Sequence, residues 1–265
     1  ERFSYYGMRA ILILYLTKKL VEGGLGIEEG TANLIYGFFT GFVYFTPLIG
    51  GWLADKFLGK RLSITIGGIT MMLGQFTLFA INTQVGLFLG LFLLIIGNGF
   101  FKPNISTIVG KLYRDDDDRR DAGFSLFYAG INLGAFLGGY ICVAIGKGYM
   151  LASVIEEAYR WNVAFGLTAV VMVVSLINFY FTRQKLGPIG LAPGNPDAIV
   201  KTKPLPKWSE YAVYLLTLVF IPVIQIMVSN PEYTDYFMYT IGPLTLIYLF
   251  VEMRFVSKVE RNKLW

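Results

Sequence analysis

The chain has 265 residues, of which 55% are hydrophobic, 16% aromatic and only 15% charged, with a mean hydropathy of +0.56 and a net charge of +5. An ordinary soluble domain carries about 25% charged residues, and a single water-soluble core cannot hide this much apolar surface. Histidine is absent and there is one cysteine, Cys142. That excludes histidine catalysis, histidine metal sites, a histidine proton relay and an internal disulfide framework. Cys142 lies in an apolar run and reads as a small buried hydrophobe.

In chain order, apolar stretches run over about 3–17, 31–54, 62–82, 85–110, 122–146, 161–182, 211–228 and 236–253. Most reach the roughly 17–25 residues of a membrane-spanning helix. The first is short, and with Glu1 in place of an initiator methionine the chain reads as a fragment that starts inside its first helix, with no cleavable signal peptide. Polar connectors separate the runs. The stretch Leu186–Lys207 holds five of the ten prolines and no long apolar run, so it reads as a linker. The pattern predicts an all-α membrane protein: a six-helix bundle over 1–183, a linker over 184–207, a transmembrane hairpin over 208–254 and a connector over 255–265.

Basic residues are sorted by side. The connectors after the second, fourth and sixth stretches, with the C-terminal tail, hold sixteen Lys and Arg, and the remaining connectors hold Lys18, Lys19, Lys147 and Arg160. The positive-inside rule places the sixteen in the cytoplasm, so the N-terminal side is cytoplasmic. The basic charge therefore sets topology, and nucleic acid is not expected as a partner. Gly37-x-x-x-Gly41 and Gly130-x-x-x-Gly134-x-x-x-Gly138 are read first as close helix packing in lipid.

Charge inside these runs is the functional signal, because a charged side chain at mid-bilayer costs at least ~2.5–3.5 kcal/mol and is kept where it has a partner or a cavity. Glu1, Tyr5, Arg9, Arg2 and Tyr6 fall within an arc of roughly 140° on one helix. Snorkelling to the headgroups suits Glu1 and Arg2 but not Arg9, which favours a cavity face. In the fourth stretch Lys102 precedes Pro103, a residue expected to kink the helix and free a carbonyl. A lysine can change protonation when desolvated whereas arginine effectively cannot, so Lys102 beside Glu1 reads as a switching pair more than a static one. Tyr36, Tyr44, Gln75, Tyr128 and Asn132 are the expected polar neighbours, each by itself more often a helix–helix bond than a ligand contact. Nothing resembles a phosphate loop, a zinc spacing or an activated nucleophile, so neither an enzyme nor a metal or organic cofactor is expected. Asp115–Arg120 reads as a solvated turn, with Asp121 as cap of the fifth helix.

Four segments together resemble the proton-dependent oligopeptide transporters of the major facilitator superfamily. Glu1-Arg2-Phe3-Ser4-Tyr5-Tyr6-Gly7 resembles the end of the family's first-helix motif, whose leading glutamate would lie upstream of residue 1. Gly50-Gly51-Trp52-Leu53-Ala54-Asp55-Lys56-Phe57-Leu58-Gly59-Lys60-Arg61 resembles its helix 2–3 signature. Phe101-Lys102-Pro103-Asn104 is similar to its helix 4 segment, and Phe127-Tyr128-Ala129-Gly130-Ile131-Asn132-Leu133-Gly134 to its helix 5 signature. The resemblance implies the N-terminal bundle of a bacterial inner-membrane symporter, pairing with a second bundle of the same protein, with the hairpin as an insertion between them. It implies di- and tripeptides as substrate and the proton as coupling ion. Arg2, Tyr5, Tyr6, Tyr44, Lys102 and Asn132 would line the peptide site, and Glu1 with Lys102 would couple protons. Arg9 would pair with a carboxylate of the second bundle, and Asp55 with Arg61 would latch the cytoplasmic gate. Nitrate or another small anion is the alternative substrate, and a non-transporting membrane scaffold is the alternative of another class.

Overall fold

The computed structural model describes residues 1–114, 117–193, 195 and 197, with isolated positions 233, 236, 239, 240, 243, 244 and 247. Both helices of the expected hairpin and the connector after them thus lie outside the described residues, apart from those isolated positions. The chain divides into two units, Glu1–Leu218 and Val219–Trp265.

Among the described residues of the first unit six α-helices follow in order: α1 (Arg2–Thr17), α2 (Glu29–Leu53), α3 (Lys60–Ala80), α4 (Gln84–Lys111), α5 (Arg119–Gly146) and α6 (Arg160–Thr182). There is no strand among the described residues. Five segments, Glu29–Leu58, Lys60–Ala80, Gln84–Lys111, Arg119–Gly146 and Glu157–Leu186, are long and apolar enough to cross a membrane. Each contains one of α2 to α6. Each helix coincides with an apolar stretch of the sequence to within a few residues. Hydrocarbon offers backbone amides no partner, so the chain satisfies them inside helices. Leu133, Phe136 and Tyr140 on α5, with Val170, Val174 and Phe181 on α6, are exposed, as expected of helix surfaces that face lipid or another bundle and not water.

Local signals set the ends. Thr83 caps α4, its side chain accepting a bond from Gly86 N at 3.2 Å, the usual work of an N-cap hydroxyl. Asp121 lies in the first turn of α5, where a carboxylate complements the helix N-terminus as the sequence suggests. The helix begins at Arg119 with Asp118 at the N-cap position, and Asp117 Oδ1, one residue further out, accepts from Arg119 N at 3.0 Å. Asp117 also meets the Arg119 guanidinium at 2.9 Å, which holds its carboxyl below the usual carboxylate range.

α1 lies against α5 and α6 and touches α2, α3 packs on α4 and α6, and α2 packs on α4. Met8, Ile11, Leu12, Tyr15 and Leu16 of α1 are wholly buried. Two polar pairs bind one end of the bundle: Tyr15 Oη donates to Asn82 Oδ1 at 2.7 Å, and Asn162 Nδ2 donates to the Phe79 carbonyl at 3.0 Å. Within the bundle Gln75 Nε2 reaches the Ser4 hydroxyl at 3.4 Å, joining α3 to α1. Thr46 Oγ1 donates to the Ile95 carbonyl at 3.0 Å, joining α2 to α4.

Pro103 sits within a continuous α4. Beside it Asn104 Nδ2 donates to the Phe100 carbonyl at 2.7 Å and Thr107 Oγ1 to the Pro103 carbonyl at 2.7 Å, side-chain bonds to the preceding turn, while the carbonyl that loses its amide partner to the proline is that of Gly99.

Glycine separates into two groups. A methyl at Gly138 would meet the Phe3 carbonyl of α1, one at Gly97 would lie 2.6 Å from the Gly67 carbonyl of α3, and one at Gly50 would strike the Gly99 carbonyl of α4. These glycines let backbones touch. Gly37, Gly41 and Gly130 face open space, with nothing within 4 Å of an added Cβ. The close-packing expectation therefore fails for the α2 pair and for the first glycine of the α5 series, and it holds for Gly134 and Gly138, which meet Arg2 and Phe3. The reason is geometric: four-residue spacing marks a helix face but not what lies opposite it. Gly138→Ala is expected to destabilise the full-length protein by about 1–3 kcal/mol through overpacking, whereas Gly130→Ala is neutral or slightly stabilising. Thermal unfolding of both variants in detergent checks this.

Candidate functional site

The polar face of α1 is built by helical spacing, and its end is pinned by the close approach of Phe3 and Arg2 to the α5 glycines. Glu1 and Arg2 form an ion pair, Oε2 to Nε 3.1 Å, with side chains 5% and 13% exposed. Such burial rules out headgroup snorkelling for either. Glu1 Oε1 is buried as well and makes no hydrogen bond within the described structure. One turn further on, Tyr5 is buried beside Tyr6, rings edge to face at 5.2 Å, with Phe39 of α2 6.4 Å away. The Tyr5 hydroxyl is likewise buried and without a partner in the described residues. A further turn along, Arg9 Nε donates to the Tyr36 hydroxyl of α2 at 2.7 Å.

From α4, the Lys102 ammonium rests 4.3 Å from the ring centroid of Tyr44 on α2. A cation over a tyrosine face gains roughly 0.5–2 kcal/mol, more as water is excluded. Lys102 also lies within electrostatic range of Glu1, Arg2 and Arg9. Among the described residues no carboxylate forms a salt bridge with it; the partner of Glu1 is Arg2. The expected Glu1–Lys102 contact is thus a neighbourhood and not a bond in this structure. Three elements supply the cluster: the α1 segment gives the carboxylate and both guanidiniums, α2 gives Tyr36 and Tyr44, and α4 gives the ammonium.

The other expected residues take different places. Tyr128 and Asn132 are exposed on α5, four residues apart on one face, with the Tyr128 ring stacked on Phe124 at 6.4 Å. Gln75 is wholly buried between α3 and α1 and does not share the open face on which Tyr44 stands. Asp55 lies in the π-helical turn Ala54–Leu58 that ends α2, and it pairs with Lys60 Nζ at 2.6 Å. Arg61 binds the segment after α6: Nε donates to the Ile189 carbonyl at 2.7 Å, the guanidinium also reaches the Gly187 carbonyl, and the Arg61 amide donates to the Gly190 carbonyl at 3.0 Å.

Two features lie outside the sequence expectations. Lys60, not Arg61, is the partner of Asp55, a choice decided by the turn geometry. Asn98 of α4 is fully buried with both side-chain polar atoms unpartnered within the described residues. A polar residue between two glycines in the middle of an apolar run was the available signal for Asn98.

No group of three or more His, Cys, Asp or Glu suited to a metal occurs among the described residues. The chemistry on offer is that of charge: three cations and one carboxylate, held by phenol rings, on helices that also present exposed polar groups.

Residues 61–208 match the model of the POT family. The chain is 43% identical over 202 residues to the uncharacterized transporter YclF of Bacillus subtilis, covering 76% of this chain and 39% of that protein. It is 40% identical over 199 residues to a di-/tripeptide transporter of Lactococcus lactis, covering 74% and 38%. A crystal structure of a mutant of the peptide transporter POT in complex with alafosfalin superposes with a TM-score of 0.74 at 35% identity, covering 98% of this chain and 51% of that one. The chain thus spans about two fifths of the length of the curated relatives it matches. With five described helices long and apolar enough to cross a membrane and a family match over more than half its length, this chain is a multi-pass membrane protein that belongs to the POT family.

Proposed function

We propose that the chain is the N-terminal part of a proton-coupled symporter of di- and tripeptides in a bacterial inner membrane, working by alternating access with a second bundle of the same protein. The observation that carries this reading is the gathering of Glu1–Arg2, Arg9–Tyr36 and Lys102–Tyr44 from α1, α2 and α4 into one cluster. A static scaffold has no use for three cations gathered around a single carboxylate in an apolar bundle, given the cost of each. The named functions of the relatives, di-/tripeptide transport among them, support the same substrate class. In this reading residues 1–183 form the bundle, 184–207 the cytoplasmic linker, 208–254 the inserted hairpin and 255–265 the connector onward.

The proposed chemistry uses groups in place. Protonation of Glu1 removes the charge that holds Arg2, leaving its planar fork free for the carboxylate end of a peptide. Lys102, resting on a phenol ring with no carboxylate bound, is a second attractor for that end and the group that exchanges charge with Glu1. Tyr5, Tyr6, Tyr44 and Asn132 line the peptide site. Arg9, oriented by Tyr36, awaits a carboxylate of the second bundle, and Asp55 and Arg61 serve the cytoplasmic gate. An inward-negative potential adds about 2.3 kcal/mol per charge per 100 mV to inward movement of the proton.

In proteoliposomes of the full-length protein, an imposed inward proton gradient is expected to drive dipeptide uptake, while nitrate neither accumulates nor competes. Gradient-independent peptide uptake would remove the coupling, nitrate accumulation resistant to dipeptides would replace the substrate, and the absence of any uptake would favour a scaffold. Lys102→Ala is expected to lower gradient-driven uptake by ~10²-fold or more, the usual scale for loss of a proton-handling group. Counterflow exchange without a gradient should fall much less, and wild-type coupling in this variant would exclude Lys102 from the mechanism.

A further inference from the structure

At the end of the bundle where α2 turns into α3, a cleft of about 270 Å³ opens between that turn, the end of α4 and the segment after α6. Its charged lining is Lys56, Lys60 and Lys111 against the single carboxylate of Asp55, and Gly190 and Leu191 form its far wall. The wall is fixed and not incidental, since Arg61 holds it through the Gly187, Ile189 and Gly190 carbonyls. Gly59 completes the fit. Its φ is +74°, in the left-handed region, and a side chain there would collide with the backbone of Leu191 and Ala192. Lys60 is nearly buried, its side chain 8% exposed, whereas Asp55 is 61% exposed. Lys56 and Lys111 are exposed and hold no ion pair within the described residues.

Depth tells what can reach the cleft. Trp52, 54% exposed, meets Phe57 edge to face at 5.6 Å at the same end of α2. Exposed tryptophan at a helix end marks the level of the lipid headgroups. The basic connectors assign this end to the cytoplasmic side, whose leaflet carries the anionic lipids. Ammonium groups are compact, strongly hydrated charges that bind phosphate as point charges, and basic pockets between membrane helices on this side take lipid headgroups. At roughly 30 Å³ per water, the cleft has room for a phosphate with part of its glycerol.

We propose that this cleft binds the phosphate group of an anionic phospholipid, held by Lys56, Lys60 and Lys111. The lipid phosphate competes with Asp55 for Lys60, so occupancy loosens the Asp55–Lys60 pair at the turn between α2 and α3. The site is separate from the Glu1–Lys102 cluster and does not depend on what the full-length protein carries.

The test uses the full-length protein in detergent, measuring thermal stability and lipid retained in native mass spectrometry. Phosphatidylglycerol is expected to stabilise the protein and to be retained, phosphatidylcholine much less, and the preference is expected to shrink as salt rises. The double variant K56Q/K111Q, both positions exposed, is expected to lose the phosphatidylglycerol preference by roughly tenfold or more while its lipid-free stability stays unchanged. Lys147→Gln, at the opposite end of α5, keeps the preference. An inorganic phosphate arm separates the sources: stabilisation by phosphate ion equal to that by phosphatidylglycerol would assign the site to soluble phosphate. Equal retention of the two lipids, or an unchanged preference in K56Q/K111Q, would overturn the proposal.

Discussion

The arrangement depends on one constraint: a charge inside an apolar bundle has to be met there. The chain does so with few parts. A carboxylate meets the neighbouring guanidinium, a second guanidinium is met by a phenol hydroxyl, and an ammonium is met by a phenol face. Two of the three cations are met by tyrosine, which screens a charge without cancelling it. A fully neutralised set of ion pairs would be static, because separating buried opposite charges is costly. Tyrosine partners leave the positive charge of Arg9 and Lys102 uncancelled.

Backbone proximity is the second support. The α1 end that carries Glu1 and Arg2 is placed by Gly134 and Gly138 of α5, and α2 is drawn onto α4 at Gly50 and Gly99. α4 is the element shared between packing and chemistry: its glycines lie against α2 and α3 while Lys102, one turn beyond Asn98, belongs to the polar cluster. Small shifts at these glycine contacts would therefore move charged groups relative to one another. Open faces at Gly37, Gly41 and Gly130 leave other surfaces of the same helices unobstructed.

The turn between α2 and α3 gathers a different set of interactions. Asp55, Lys60 and Arg61 lie close together in sequence, yet they serve separate ends: a local ion pair for the first two and a backbone clamp on the segment after α6 for the third. That clamp ties the segment after α6 to the bundle, at the end where α2 turns into α3.

Much of this was legible in the sequence. Hydrocarbon tolerates only helices and closed barrels, which satisfy every backbone amide internally, so runs of apolar residues located the six described helices to within a few residues. Spacing of about 100° per residue placed Glu1, Arg2, Tyr5, Tyr6 and Arg9 on one face, because those relations are local to a single helix. Partners across helices were beyond its reach. That Lys102 turns to Tyr44 while Glu1 stays with Arg2, that Asp55 chooses Lys60, and that Gly138 is packed while Gly130 is open were all decided by how the folded segments meet. A one-dimensional pattern records which face a residue occupies, and only the tertiary fold determines what stands opposite it.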